Sequence, residues 1–484
     1  MIRVVLEVFR RSLCCRNDAA DRKLTLYFNL TDYVVILFQL APCSLRGMKE
    51  VRKMDGKWYS FPAKLIATVI MASSYAMAAP LSYAPAPADN PLRGLVPYAS
   101  ASGRSQFPHS MEFSYFSLKD VMKGPEEFDW GVIEKTLVEV NGRGNQLIFR
   151  VYCEYPGKEL EIPAFLIDAG VKVTKWSNNG QVSYTPDYND KTLRKALGSL
   201  ITAMGNKYDG DPRIAFITAG LLGSWGEWHT YPRNDLRASK QVQREVMESY
   251  AKAFSKTKVL LRYPAGLKSH LHAENHERPF GYHDDSFCWA TLDTGKENDS
   301  WYFEPSMKTA GAKDKWKHYP IGGEIRPELW KQSFTANRHP RDQGFVECVE
   351  RMHATWLLDS GLFDARIQMD EKRKAAALRE TARMGYEFYV SNVDWREGMI
   401  SLTVENRGVA PFYYDWPIEI KVDGGIIKTN WKMNSLLPGE LRKWSTEWPE
   451  KKILQIRVSN PMKGGKPLRF ANRNQGKEWL TIKP

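Results

Sequence analysis

The sequence predicts an α/β protein, a (β/α)8 TIM barrel followed by an all-β sandwich. Between Gly94 and about Gly385, short apolar runs alternate with stretches that are apolar at spacings of three and four. After Gly385 the helical spacing stops, and runs with alternating apolar residues follow one another through turn residues. With 484 residues, 43% of them hydrophobic, the chain can bury one large core and a second, so disordered and fibrous classes are excluded.

In chain order, strands are expected at "GLVPY", "MEFSYFSL", "QLIFRVYCEY", "IAFITAGLLGSWGEW", "KVLLRYP", "FGYHDDSF", "YPIGGEI" and "ATWLLD". Helices are expected at "FDWGVIEKTLVEVNGRG", "DKTLRKALGSLITAMGNKY", "ASKQVQREVMESYAKAFSK" and "DEKRKAAALRETARMG", closed by Asp, Gly or Pro as in "YDGDP". Such alternation implies a parallel sheet, and eight repeats suit a closed barrel better than an open sheet. No glycine-rich nucleotide turn follows the first strand. The barrel is assigned to 80–385 and the sandwich to 386–484, with strands at "YEFYVSNVDW", "MISLTVENRG", "PIEIKVDGG", "KILQIRVSN" and "EWLTIKP".

Ahead of the barrel, 48–79 reads as a secretory signal peptide. Basic Arg52, Lys53, Lys57 and Lys64 precede or open a short apolar run that ends in Ala76-Met77-Ala78, and Pro80, Pro85, Pro87 and Pro91 follow. Cleavage near Ala78 would send the protein to the periplasm or outside the cell. A buried opening helix is the other reading. Residues 1–47 then precede any signal, and with Met48 and Met54 available as starts they are expected to be a mis-called extension. "YVVILFQLA" within them is too short for a membrane span.

The formal charge is +13, but basic residues are spread along the chain and do not form the stripe that nucleic acid requires. Twelve Lys and Arg and six Asp and Glu lie before Pro80, so the remainder carries about +7. Three of six cysteines, Cys14, Cys15 and Cys43, fall in the extension. Cys153, Cys288 and Cys348 are expected to be buried thiols with at most one bridge, and no CxxC metal motif is present.

Chemistry in a barrel sits where strands end at the carboxyl face. Glu227, in "GLLGSWGEWHTYP", is expected at the end of the fourth strand and Glu324, in "GGEI", at the end of the seventh. Two such acids can flank a glycosidic bond, one giving a proton and the other attacking or activating water. Alternatively, Glu227 is a structural acid paired with Arg262, and Glu324 pairs with Arg326. "YHDD", Tyr282 to Asp285, adds a hydroxyl, an imidazole and two carboxylates that hold sugar hydroxyls, tune Glu324, or cap a following helix. Arg150, Tyr152 and Glu154 on the third strand, Trp225 and His229 on the fourth, Arg262 and Tyr263 on the fifth and Trp356 on the eighth complete the rim. Trp356 is either a floor for a sugar ring or a core residue. His229 and His283 with Glu227 and Asp284 lack an HxH or HExxH pattern, so no metal and no cofactor is expected. A serine-centred nucleophile elbow and a phosphate-cradling loop are absent.

Acids at the ends of strands four and seven resemble the arrangement of clan A glycoside hydrolases. That resemblance implies Glu227 as acid/base, its proton kept by Trp225 and Trp228, and Glu324 as nucleophile. In that clan Asn usually precedes the fourth-strand Glu, whereas Gly226 stands here and offers no side chain to a sugar 2-hydroxyl. Over roughly 90–484 the chain also resembles a bacterial family known as domain of unknown function 4832, often preceded by 4874. The resembling stretches are "NPLRGLVPY", "FDWGVIEKTL", "KYDGDPRIAFITAGLLGSWGEWH", "GYHDDSF", "GGEI" and "NRGVAPFYYDWPIEI". The expected partner is an oligo- or polysaccharide, with no nucleic acid and no integral membrane segment in the mature chain. The expected function is a secreted glycoside hydrolase. The alternatives are a carbohydrate-binding or cell-surface protein on a silent barrel, and a barrel whose acids hold a metal for deacetylation or lyase chemistry.

Overall fold

The eight apolar runs form eight parallel strands: β1 (Gly94–Val96), β2 (Met111–Ser117), β3 (Gln146–Tyr152), β4 (Ile214–Thr218), β5 (Val259–Leu261), β6 (Gly281–Phe287), β7 (Ile321–Ile325) and β8 (Ala354–Leu358). They are hydrogen-bonded in the order β1-β8-β7-β6-β5-β4-β3-β2. A parallel bridge from Tyr98 to Phe113, with Phe113 N–H donating to Pro97 O at 2.8 Å, joins β1 to β2 and closes the barrel. The computed structural model describes residues 25–30, 33–38 and 81–483, apart from 397, 423–424 and 449–452.

Strands covered on both faces read as continuous apolar runs. Inside, Trp356 of β8 is fully buried, its ring 6.2 Å from that of Phe216 and nearly parallel to it, with Phe113 at 6.5 Å. Gly322 of β7 makes that ring possible, since a Cβ there would stand 2.3 Å from the indole. The barrel is therefore plugged by side chains and is not a pore.

Outside lie α1 (Gly131–Gly142), α2 (Lys191–Tyr208), α3 (Lys240–Ala253), α4 (Phe303–Ala310), α5 (Phe345–Met352) and α6 (Glu371–Thr381). Asp190, Ser239 and Asp370 accept first-turn amides of α2, α3 and α6, as N-caps do. Beyond α2, Asp209 accepts the amides of Ser255, Lys256 and Thr257, which ties "YDGDP" to the entry of β5. Two repeats lack an α-helix, β1 to β2 and β5 to β6. Both connections are bounded by prolines, Pro97 with Pro108 and Pro264 with Pro279, and proline cannot donate within a helix. An unexpected hairpin, Val173–Asn178 with Gln181–Pro186, precedes α2.

The C-terminal strands make two antiparallel sheets, β9 (Phe388–Arg396), β10 (Met399–Asn406) and β13 (Leu441–Glu447) in one, and β12 (Gly425–Lys428), β11 (Ile418–Val422), β14 (Leu454–Val458) and β15 (Leu480–Ile482) in the other. The five sequence-read strands are present. β12 and β13 are additional, because β13 buries only Trp444 among charged residues and β12 is exposed throughout. One continuous apolar cluster joins the sandwich to the barrel interior, from Ile400, Leu402, Ile418 and Ile456 to Phe216 and Trp356. Tyr414 donates to Ala215 O and receives the Lys258 amide, so the sandwich seats against the amino-terminal end of the barrel.

Residues 76–484 make one unit and residues 1–75 another. In the latter, Thr25–Leu30 and Tyr33–Phe38 pair as an antiparallel hairpin, so "YVVILF" is a strand. The expected signal peptide over 48–79 lies outside the described residues, as does the rest of 1–47. Among the described residues no helix is long and apolar enough to cross a membrane.

Candidate active site

β3, β4, β6 and β7 point their inward side chains at one spot on the carboxyl face. Oxygens of Glu227, Asp285 and Glu324 all lie within 4.8 Å of one another there. Glu324 stands inside β7 and is 8% exposed. Burial, then the charges of Asp285 and Glu227, pushes its carboxyl well above the ordinary value, against Arg150 and Arg326.

Glu227 arrives by another route than expected. β4 stops at Thr218, and the chain loops for eight residues before Glu227 instead of continuing as strand. Leu221, Gly223, Trp225, Gly226 and Trp228 all have positive φ. Three of these are not glycine, at an expected strain of about 1 to 3 kcal/mol each. The loop is held by Leu221 N–H to Val151 O at 2.7 Å, Trp225 N–H to Glu154 O at 3.1 Å and Ser224 N–H to His229 O at 2.8 Å. Ser224 Oγ donates to Glu154 Oε1 at 2.8 Å, and Trp228 Nε1 donates to Ala219 O at 2.8 Å. Gly226 has φ +72°, and a Cβ on it would lie 3.1 Å from Gly220 Cα and 3.3 Å from Arg150 Cδ. The positive φ and the nearby Gly220 backbone leave little room for a side chain at position 226.

Arg150 links the carboxylates. Its Nη1 is 3.4 Å from Glu227 Oε1, and its Nη2 is 3.3 Å from both Asp285 Oδ1 and His283 Nδ1. Its Nε donates to Thr218 Oγ1 at 3.1 Å. Arg262 approaches Asp285 Oδ2 at 2.6 Å, and His283 Nδ1 lies 2.7 Å from Asp285 Oδ1. Burial opposes ionisation of Asp285, but His283, Arg150 and Arg262 outweigh it and hold the carboxyl far below the usual range. Burial lowers His283, whose Nε2 has no protein partner.

The structural pairings considered as alternatives are made differently. Glu227 faces Arg150 and, at 3.3 Å, His229 Nε2, while Arg262 serves Asp285 and Arg326 pairs with Glu328 at 2.8 Å. Along β6, His283 and Asp285 turn inward while Tyr282 and Asp284 turn away. Tyr282 donates to Asn275 Oδ1 at 2.7 Å, and Asp284 accepts Thr291 Oγ1 at 2.7 Å. Asp285 is therefore the acid of "YHDD" that joins the site, as the two-residue period of a strand requires. Trp356 is in the barrel interior, 5.2 Å from His283, with no exposed face. Trp228 is a core residue, and burial favours the protonated form of Glu324.

An arc of rings borders the carboxylates from β1 to β5. Tyr98 and Tyr115 are 6.2 Å apart, Tyr115 and Tyr155 5.9 Å, Tyr155 and Trp225 6.2 Å, Trp225 and His229 6.1 Å, and His229 and Tyr263 6.5 Å. Tyr152 abuts it, with its hydroxyl donating to Glu161 and accepting from Lys158 at 2.8 Å. The sequence reading placed both acids of "YHDD" on this face without separating Asp285 from Asp284, and it missed Tyr98, Tyr115 and Tyr155. Glu227, Asp285 and Glu324 are also the residues able to reach a cation, in a place where Arg150 already supplies positive charge.

No family model and no curated protein matches the chain. Among solved structures, two crystal structures of GH5_18 from Bifidobacterium longum subsp. longum are similar. One, a variant in complex with Manβ1-4GlcNAc, gives a TM-score of 0.38 at 11% identity over 56% of this chain and 69% of that one. The other gives 0.36 at 12% identity over 55% and 68%. The barrel itself rests on strand order and register, and its carboxyl face gathers three acids, two guanidinium groups and a border of aromatic rings.

Proposed function

We propose that the protein is a secreted or periplasmic enzyme that cleaves a glycosidic bond with Glu227 and Glu324. The observation that carries this reading is the meeting of these two acids, one from the loop after β4 and one from β7, with oxygens within 4.8 Å beside an arc of aromatic rings. Inverting cleavage needs carboxyl groups about 6.5 to 9.5 Å apart and retaining cleavage about 5 to 5.5 Å, so the spacing favours retention. Glu324, whose carboxyl is pushed up by burial and by the neighbouring acids, is assigned as donor. Glu227, facing the Arg150 guanidinium, is assigned as nucleophile, the reverse of the roles implied by clan A. Asp285 keeps Arg150 and Arg262 in place, and the rings receive the apolar faces of sugars. The signal peptide and the likeness to the domain 4832 family belong to the same proposal.

The test is a panel of poly- and oligosaccharides and activated aryl glycosides with the mature chain, Glu227→Gln and Glu324→Gln. Turnover abolished by both substitutions, with the first product in the retained configuration by NMR, is the expected result. With azide, Glu227→Ala should release a glycosyl azide of inverted configuration and Glu324→Ala one of retained configuration. Turnover surviving either Gln variant overturns the assignment. Saccharide binding without turnover by the wild type would select the silent-barrel reading, which the Arg150 to Glu227 contact favours.

A further inference from the structure

A hollow of about 310 Å³ opens away from the carboxyl face, near the starts of β2 and β3. Its walls are Ser102, Arg104 and Ser105 from the β1 to β2 connection, His109 just before β2, Arg143 and Asn145 just before β3, and Lys466 from the sandwich. Every titratable side chain on this wall is basic. That volume is at the lower end of small-ligand cavities, room for a molecule of monosaccharide size.

The acids nearby are already committed. Glu112 is fully buried and takes two hydrogen bonds from Arg143, at 2.8 and 2.6 Å, and one from Asn145 Nδ2 at 2.8 Å. Asp89 pairs with Arg469 at 2.6 Å and stays 3.9 Å from Lys466. Lys466 Nζ itself donates to His109 O and, at 2.6 Å, to Asn145 Oδ1, both uncharged. Arg104 likewise spends Nη1 on the carbonyls of Ala99 and Ala101, at 2.9 and 3.0 Å. His109 has Nδ1 against Phe107 O at 3.0 Å, and its Nε2 stands 3.7 Å from Glu112 Oε1, outside hydrogen-bond reach. Two cations whose hydrogen bonds go only to neutral acceptors, a third shared with one acid, and an imidazole line one hollow beside two serine hydroxyls. Charge-assisted hydrogen bonds to an oxyanion are what this wall lacks. Burial also lowers Lys466, as it does an ammonium short of counter-charge.

We propose that this hollow binds a small oxyanion, a phosphate, sulfate or carboxylate, free or carried by a single sugar, at a site separate from the proposed catalytic face. Lys466 and Arg104 supply the charge, and Ser102, Ser105 and His109 orient the oxygens. Because Lys466 comes from the sandwich and the other residues from the barrel, a bound anion would clamp the two together.

Isothermal titration calorimetry of the mature chain with inorganic phosphate, inorganic sulfate, glucose 6-phosphate, glucuronate and glucose tests this. Saturable one-to-one binding of at least one inorganic or sugar-borne anion is expected, with none of glucose. Sugar anions binding more tightly than the free ions would identify the sugar-borne source, and the reverse order the free ion. Lys466→Met and Arg104→Gln, each checked for an unchanged circular dichroism spectrum, should weaken binding about tenfold or more. Glu324→Gln should bind the anion as the wild type does. No heat with any anion, equal binding in both folded variants, glucose binding as tightly as the anions, or loss of binding in Glu324→Gln would each overturn the proposal.

Discussion

The two ends of the barrel treat buried carboxylates in opposite ways. At the amino end Glu112 is fully buried, yet Arg143, Asn145 and His109 overcome burial and hold its carboxyl down at about 2. At the carboxyl end Glu324 is nearly as buried, yet its neighbours Asp285 and Glu227 add to the effect of burial, and the carboxyl is pushed well up. The first acid has every partner it needs and serves the fold. The second is left short of partners, which is how a proton is kept ready on a carboxyl group. The loop that carries Glu227 also holds three non-glycine residues with positive φ, Leu221, Trp225 and Trp228.

The largest expected effect separates these ends by activity. Glu227→Gln and Glu324→Gln should each lower turnover by about 10² to 10⁴-fold with little loss of folded protein, measured by kcat beside thermal unfolding. At the other end, Glu112→Gln should cost about 2 kcal/mol in denaturant unfolding and leave kcat of the folded fraction unchanged, because Arg143 is partly exposed and can be hydrated. If Glu112→Gln instead abolished turnover at full stability, the division would fail.

Gly322→Ala probes the link between plug and site. Its Cβ would press on the Trp356 ring, so about 1 to 3 kcal/mol of stability should be lost, with a fall in kcat because Glu324 is two residues along the same strand. A stable, fully active Gly322→Ala would remove that link.

A pH series sharpens the contrast further. The unfolded chain releases the Glu324 proton near its ordinary value while the folded chain keeps it, so stability falls as pH rises from about 4.3 through the folded value. Glu324→Gln removes this penalty, and its melting temperature should exceed that of the wild type by more at pH 8 than at pH 4. Glu112 has the opposite sign. Its contribution is present above about 4.5 and is lost as pH falls toward 2, so Glu112→Gln should be most damaging near neutrality. The smallest effect is expected from Gly226→Asn, about 1 kcal/mol of destabilisation with no gain in turnover, since φ +72° and the Gly220 contact leave the new side chain poorly placed.

The order of elements was contained in the sequence. Eight apolar runs with the burial pattern of parallel strands, four helical stretches with caps or stops, and five alternating strands each declare themselves within about ten residues, because their periodicity is local. Glu324 belongs to that set, since a strand's direction and period place its side chain. β13 did not declare itself, as only Trp444 is buried in it, and neither did the helix-free connections between prolines.

Glu227, Asp285 and the ring arc depended on the tertiary structure. Glu227 sits on a loop whose path is set by contacts to Val151, Glu154 and Tyr188, from parts of the chain 35 to 71 residues away. Which acid holds a proton was decided the same way, by Arg150, Arg262 and His283 converging from three strands, a sum of charges and burial that no local pattern encodes.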